Sequence, residues 1–89
     1  MEENIYLSEV STIYPNPAFN LVNVLLGGQA NDFIISIFSI DGNLIEQFKE
    51  QHLPSNRTFT IPLDYYPKGV YLINVICGDK IENIKLLKR

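Results

Sequence analysis

The sequence predicts an all-β chain, a seven-stranded antiparallel β-sandwich of immunoglobulin-like size. Three observations carry this. Short runs rich in Val, Ile, Phe and Tyr recur at spacings of about 8–14 residues, turn-forming residues stand between them, and no stretch repeats its apolar residues at the helical period. Two antiparallel sheets facing one another are the compact way to bury one side of so many short strands.

The first strand expectation, Ile5 to Val10, is weakly patterned. Tyr14-Pro15-Asn16-Pro17-Ala18 follows, where each proline removes a backbone donor and pushes Tyr14 and Asn16 toward extended conformations. It reads as a stiff connector between sheet edges, packed at its ends by Tyr14 and Ala18. Phe19 to Leu26 alternates Val22, Val24 and Leu26 on one face with Leu21, Asn23 and Leu25 on the other. After the turn-rich Gly27–Asp32 segment, Phe33 to Ile40 places Phe33, Ile35 and Ile37 on one face. Asp41-Gly42 then signals a hairpin with a two-residue turn, since Gly accepts the positive φ such turns need, and Leu44 to Lys49 is the returning arm.

Glu50 to Asn56 is a polar loop holding the single His, His52. Phe59, Ile61 and Leu63 define the next strand, and Pro62 confines its later half to an edge or an end. Asp64 to Gly69 crosses into the final pair. Val70 to Cys77 is apolar on both faces apart from Asn74, as expected of a strand in mid-sheet. Gly78-Asp79 forms a tight turn. Ile81 to Lys88 then mixes apolar residues with charges that discourage unwanted pairing, the pattern of an edge strand. Tyr71 is placed to act as a tyrosine corner, with its hydroxyl reaching back to the backbone, the alternative being a plain core aromatic.

Eighty-nine residues, 46% of them hydrophobic, form one small globular domain with one core. No apolar run approaches the roughly 18 residues of a membrane-spanning helix, and Met1-Glu2-Glu3 opens no secretory leader. That opening also suits a fragment of a longer chain. Net charge is −3 but unevenly placed: residues 1–79 carry three cations against nine acids, −6, whereas residues 80–89 carry four cations against Glu82, +3. An acidic body with so few cations is a poor match to nucleic acid.

Reactive chemistry is sparse. Cys77 is the one cysteine, so no internal disulfide forms, and within an apolar strand it reads as a small buried hydrophobe. His52 reads as a solvated loop residue. No His/Cys cluster suits zinc, no Gly-rich loop suits phosphate, and Asp41-Gly42-Asn43 lacks the ligand spacing of a calcium loop. Asn56-Arg57-Thr58 fits a glycosylation sequon, a pattern common by chance. Asp64, Tyr65 and Tyr66 form either a small binding patch or, more simply, a turn. The expectation is a domain that is not an enzyme and holds no cofactor or metal.

Five segments in order carry a resemblance: Tyr14-Pro-Asn-Pro-Ala18, Ile35 through Asp41-Gly42, Ile61-Pro-Leu-Asp64, Pro67-Lys-Gly69-Val70-Tyr71, and Lys85-Leu86-Leu87-Lys88 ahead of Arg89. Together they resemble the type A C-terminal sorting domain of the type IX secretion system of Bacteroidetes bacteria, from about residue 13 to residue 89, with residues 1–12 as linker and first-strand region. Tyr14 to Ala18 match the family's proline motif, Gly69, Val70 and Tyr71 its Gly-x-Tyr motif, and Lys85 to Lys88 its terminal motif. Two stretches depart from the family's usual residues: Phe38-Ser39, where Asp or Tyr is common, and Leu63-Asp64-Tyr65-Tyr66-Pro67, which puts a tyrosine into the commoner Leu-Ser-x-Leu-Pro.

The resemblance implies a seven-stranded sandwich, covalently preceded by a cargo protein. It implies recognition by the type IX machinery (outer-membrane translocon, shuttle and sortase-like peptidase), then removal of the domain with attachment of the cargo at the cell surface. The terminal strand would offer unpaired edge backbone to a receptor, steered by Lys85, Lys88 and Arg89. The alternative is a structural or glycan-binding accessory sandwich, whose only candidate aromatic platform is Tyr65, Tyr66 and Phe48.

Overall fold

The alternating runs become seven strands in the computed structural model, which describes residues 10–28, 30–52 and 56–89. They are β1 (Thr12–Tyr14), β2 (Leu21–Leu25), β3 (Phe33–Ser39), β4 (Leu44–Glu50), β5 (Thr58–Pro62), β6 (Gly69–Cys77) and β7 (Lys80–Lys88). All pair antiparallel, in a three-stranded sheet ordered β1-β2-β5 and a four-stranded sheet ordered β4-β3-β6-β7. No helix occurs among the described residues.

Several boundaries differ from those expected. Of the Ile5–Val10 strand, residues 5–9 lie outside the described residues, and Val10 sits in a bend, 62% exposed. Among the described residues the first strand is Thr12–Tyr14, which pairs with Leu25, Val24 and Asn23 and stops where Pro15 removes the next backbone donor. Tyr14, expected to pack, is exposed because it shares the outer face with its partner Asn23. β2 begins at Leu21 rather than Phe19, because the chain just before it is tied through Ala18 to the other sheet. The β3–β4 hairpin turns over three residues, Ile40-Asp41-Gly42, closed by Gly42 N–H to Ser39 O and Ser39 N–H to Asn43 O, each 2.9 Å. Gly42, at φ +90°, takes the left-handed position of such three-residue loops. The β6–β7 turn is the tight two-residue Gly78-Asp79, with Gly78 at φ +63° and Cys77 paired with Lys80.

The core lies between the sheets. Val22, Val24 and Ile61 from the three-stranded sheet meet Ile35, Ile37, Ile73, Val75 and Leu86 from the four-stranded one, all without solvent exposure. Each such side chain contributes about 1.5–3 kcal/mol by leaving water. Phe59 bridges the sheets at one end, its ring 5.3 Å from Phe33 and 5.1 Å from Phe48. Pro62 is the last residue of edge strand β5, where a missing donor does no harm.

β6 is central, with β3 on one side and β7 on the other, but its outer face is not buried as its composition implied. Leu72 is 40% exposed. A mid-sheet position satisfies a strand's edges, whereas its faces are covered only if a second layer lies on both sides, and here one does.

Candidate functional site

β7 is the last strand of its sheet, and the N-terminal segment is fastened along its outer side. The two prolines of Pro15-Asn16-Pro17 carry no N–H, so Asn16 bonds through its side chain. Its Nδ2 donates to Lys85 O at 2.9 Å, and its Oδ1 accepts from the amide of Leu87 at 3.0 Å. Two residues on, Ala18 N–H donates to Leu87 O and Ala18 O accepts from Arg89 N–H, both at 2.8 Å. Ala18 is fully buried, in a one-residue parallel bridge with Lys88. Both the Tyr14-Pro15 and the Asn16-Pro17 peptides are cis.

Ser11 fastens the first half of β7. Its amide and hydroxyl donate to the two carboxylate oxygens of Glu82, at 2.7 and 3.0 Å, while its Oγ accepts from Gly27 N–H at 2.9 Å. Neither Ser11 nor the clamp role of Asn16 was visible in the sequence pattern; an Asn flanked by two donorless prolines was the one available sign. The expectation of unpaired edge backbone is therefore overturned over Lys85–Arg89, where the outward polar groups of Lys85, Leu87 and Arg89 already have partners.

The register collects the other motif residues at the same end. Gly69, Val70 and Tyr71 lie opposite Lys88, Leu87 and Leu86, and Ser39, just before the Asp41-Gly42 loop, lies opposite Tyr71. Tyr71 is the predicted corner: its ring is buried and its hydroxyl donates to Pro67 O, four residues upstream. Asp41 accepts from the Ser39 hydroxyl, which holds its carboxyl below the usual range. The strand alternation then divides the terminal motif. Leu86 points into the core with no exposure, whereas Lys85 and Leu87 point to the opposite, outer face beside Leu72 and Val70.

The proposed aromatic platform does not assemble. Tyr65 is 98% exposed, but Phe48 packs on Phe59, and Tyr66 stacks edge-on against Tyr71 at 5.4 Å with its hydroxyl on Glu46. Residues 63–66 form a turn instead, closed by Tyr66 N–H to Leu63 O at 3.0 Å. At the other end of the sheet, an open hollow between Asp32–Ile34 and Lys49–His52 holds His52. Cys77 is buried and contacts Arg57 and Ala30 O. Arg57, another residue the pattern did not single out, sends its guanidinium to the carbonyls of Leu26, Gly27 and Ala30 at 3.1, 3.3 and 2.9 Å. Among the described residues no three His, Cys, Asp or Glu side chains gather as a metal site, and no helix is long and apolar enough to cross a membrane.

A β-domain whose N-terminal segment, central strand and last strand meet at one end is the architecture on which the sequence motifs converge. The family model for the secretion system C-terminal sorting domain matches residues 12–89, and the chain belongs to that family. It is a sorting signal of type IX secretion, serving a cargo bound for the cell surface or the medium through the outer membrane. No curated protein matches the chain.

Proposed function

We propose that the domain is a non-catalytic address, read by the secretion machinery at the end where Tyr14–Ala18, Asp41-Gly42, Gly69–Tyr71 and Lys85–Arg89 converge. On this reading a shuttle and the outer-membrane translocon engage the folded domain, and a sortase-like peptidase then cleaves ahead of it and attaches the cargo at the surface. The observation that carries the reading is the fastening of β7 by Asn16 and Ala18, which joins the terminal motif to the proline motif through four hydrogen bonds. An immunoglobulin-like topology is supported by the strand order, β1-β2-β5 over β4-β3-β6-β7, and by the corner bond of Tyr71 at the start of the penultimate strand.

The test fuses residues 1–89 to a reporter with its own signal peptide in a type IX-competent bacterium. Removal of Lys85–Arg89 is expected to strand the reporter in the periplasm. Equal export of the full and shortened fusions would refute the assignment of recognition to this end.

A further inference from the structure

A partner reading the terminal strand has two routes: adding a strand at the outer edge of β7, or docking on its side chains. The first is closed where the motif lies. The outward groups at Lys85, Leu87 and Arg89 are held by Asn16 and Ala18, so an added strand would have to displace both.

The second route is open. On the outer face of the four-stranded sheet, Leu44 lies opposite Phe38, Phe38 opposite Leu72, and Leu72 opposite Lys85, with Val70 and Leu87 paired in the adjacent row. Leu44 is 53% and Leu72 40% exposed, and no layer of this chain's described residues packs over them. A polar row bounds the patch: Gln47 donates to Ser36 Oγ at 2.9 Å and Asn74 to Asn83 Oδ1 at 3.0 Å, so these groups satisfy one another. A contiguous apolar surface of this kind marks an interaction site.

Building on the sorting assignment, we propose that this face is the docking surface for a protein of the secretion machinery, with Lys85 at its border. The partner surface is apolar at its centre and carries carboxylates opposite Lys85 and Arg89. Charge complementarity supports the acidic partner. Residues 1–79 carry −6 and residues 80–89 carry +3, so an anionic surface attracts the β7 end and repels the rest, orienting the encounter. The same −6 disfavours an anionic membrane as the occupant.

The test compares two leucines of equal exposure in the reporter fusion: Leu72 (40%) on this face and Leu21 (41%) on the outer face of the other sheet. Leu72→Glu is expected to cut export about tenfold or more, equivalent to about 1.4 kcal/mol of docking energy. Leu21→Glu should leave export near that of the parent, with both purified domains melting close to it. Should Leu72→Glu fail to fold, Leu72→Thr, which keeps strand propensity, replaces it. A photo-crosslinker at position 72 should trap a component of the secretion machinery during export. Parental export by a folded Leu72 variant, or equal loss from Leu21→Glu, would overturn the proposal. A concentration-dependent dimer, or binding to anionic vesicles, abolished by Leu72→Glu would reassign the face and likewise overturn it. Removing Lys85–Arg89 also takes Lys85, Leu87 and Arg89 from this face, so the two readings are separated by pattern: export that survives that removal refutes the sorting assignment itself, whereas export lost on that removal but kept by a folded Leu72 variant refutes only this face.

Discussion

The side-chain oxygen of Asn16 accepts the amide hydrogen of Leu87 at 3.0 Å, as a neighbouring strand's carbonyl would. The same carboxamide donates to Lys85 O, so one side chain replaces a rung of backbone ladder. Both bonds are exposed, and water can replace them, so Asn16→Ala should cost about 0.5–1.5 kcal/mol in denaturant unfolding. The sharper reading is local. Amide exchange at Leu87 should accelerate far more than at Ile73 in the centre of the sheet. Asn16→Asp keeps the acceptor for Leu87 but sets a carboxylate against Lys85 O, so it should restore protection only in part.

Leu86 and Leu87 are adjacent and chemically identical, yet the strand turns one into the core and the other outward. Leu86→Ala should therefore cost about 2–5 kcal/mol, a large share of the roughly 5–15 kcal/mol holding a small domain. Leu87→Ala, at a half-buried site, should cost about 1 kcal/mol. Export should fall in both, but only the Leu86 variant should show a matching loss of thermal stability. Equal destabilisation of the two would contradict the orientation of β7.

Tyr71→Phe isolates the corner bond, since the ring and its stacking on Tyr66 are kept while the donor to Pro67 O is lost. The expected cost is about 1 kcal/mol. For a domain of this size that lowers the melting temperature by about 4–8 °C. An unchanged melting temperature would mean that the bond is dispensable.

Much of the fold was legible because its signals are local. Val22/Val24/Leu26 and Phe33/Ile35/Ile37 alternate at period two, and all six are buried: Val22 and Val24 in β2 with Leu26 just beyond its end, and the second triplet in β3. The sheet edges were legible too, from Pro62 and from the charges of β7. What escaped were relationships across about 70 residues. Nothing in Tyr14-Pro-Asn-Pro-Ala18 says that its Asn will bond the end of β7, or that Ser11 will meet Glu82. The exposure of Leu72 was not legible for a different reason: an apolar residue is equally at home in a core and on an uncovered face.

Gly78 and Gly42 both turn hairpins at positive φ, at +63° and +90°, but their surroundings differ. A Cβ at Gly42 meets nothing within 4 Å, whereas one at Gly78 would lie 2.9 Å from the Ala30 Cβ. Gly42→Ala should thus cost only the backbone strain, about 1–2 kcal/mol. Gly78→Ala should cost more, and the excess should shrink in an Ala30→Gly background. A double-mutant cycle showing no coupling between positions 30 and 78 would refute the contact.

Tyr66 should couple the fold to alkaline pH. Burial first, then the hydrogen bond to Glu46 and the charges of Glu46 and Tyr71, raise its phenol well above the ordinary value of 10.0. The folded chain therefore holds this proton at a pH where the unfolded chain has released it. The contribution of Tyr66 is complete below about pH 10 and declines as pH rises beyond it toward the folded value. Tyr66→Phe, which cannot ionise, should flatten the loss of unfolding free energy above that pH. The difference in phenolate absorbance between the two proteins should place Tyr66 ionisation later than that of a free tyrosine. If the alkaline slope is the same with and without the hydroxyl, the phenol is ionising freely and its bond to Glu46 does not persist in solution.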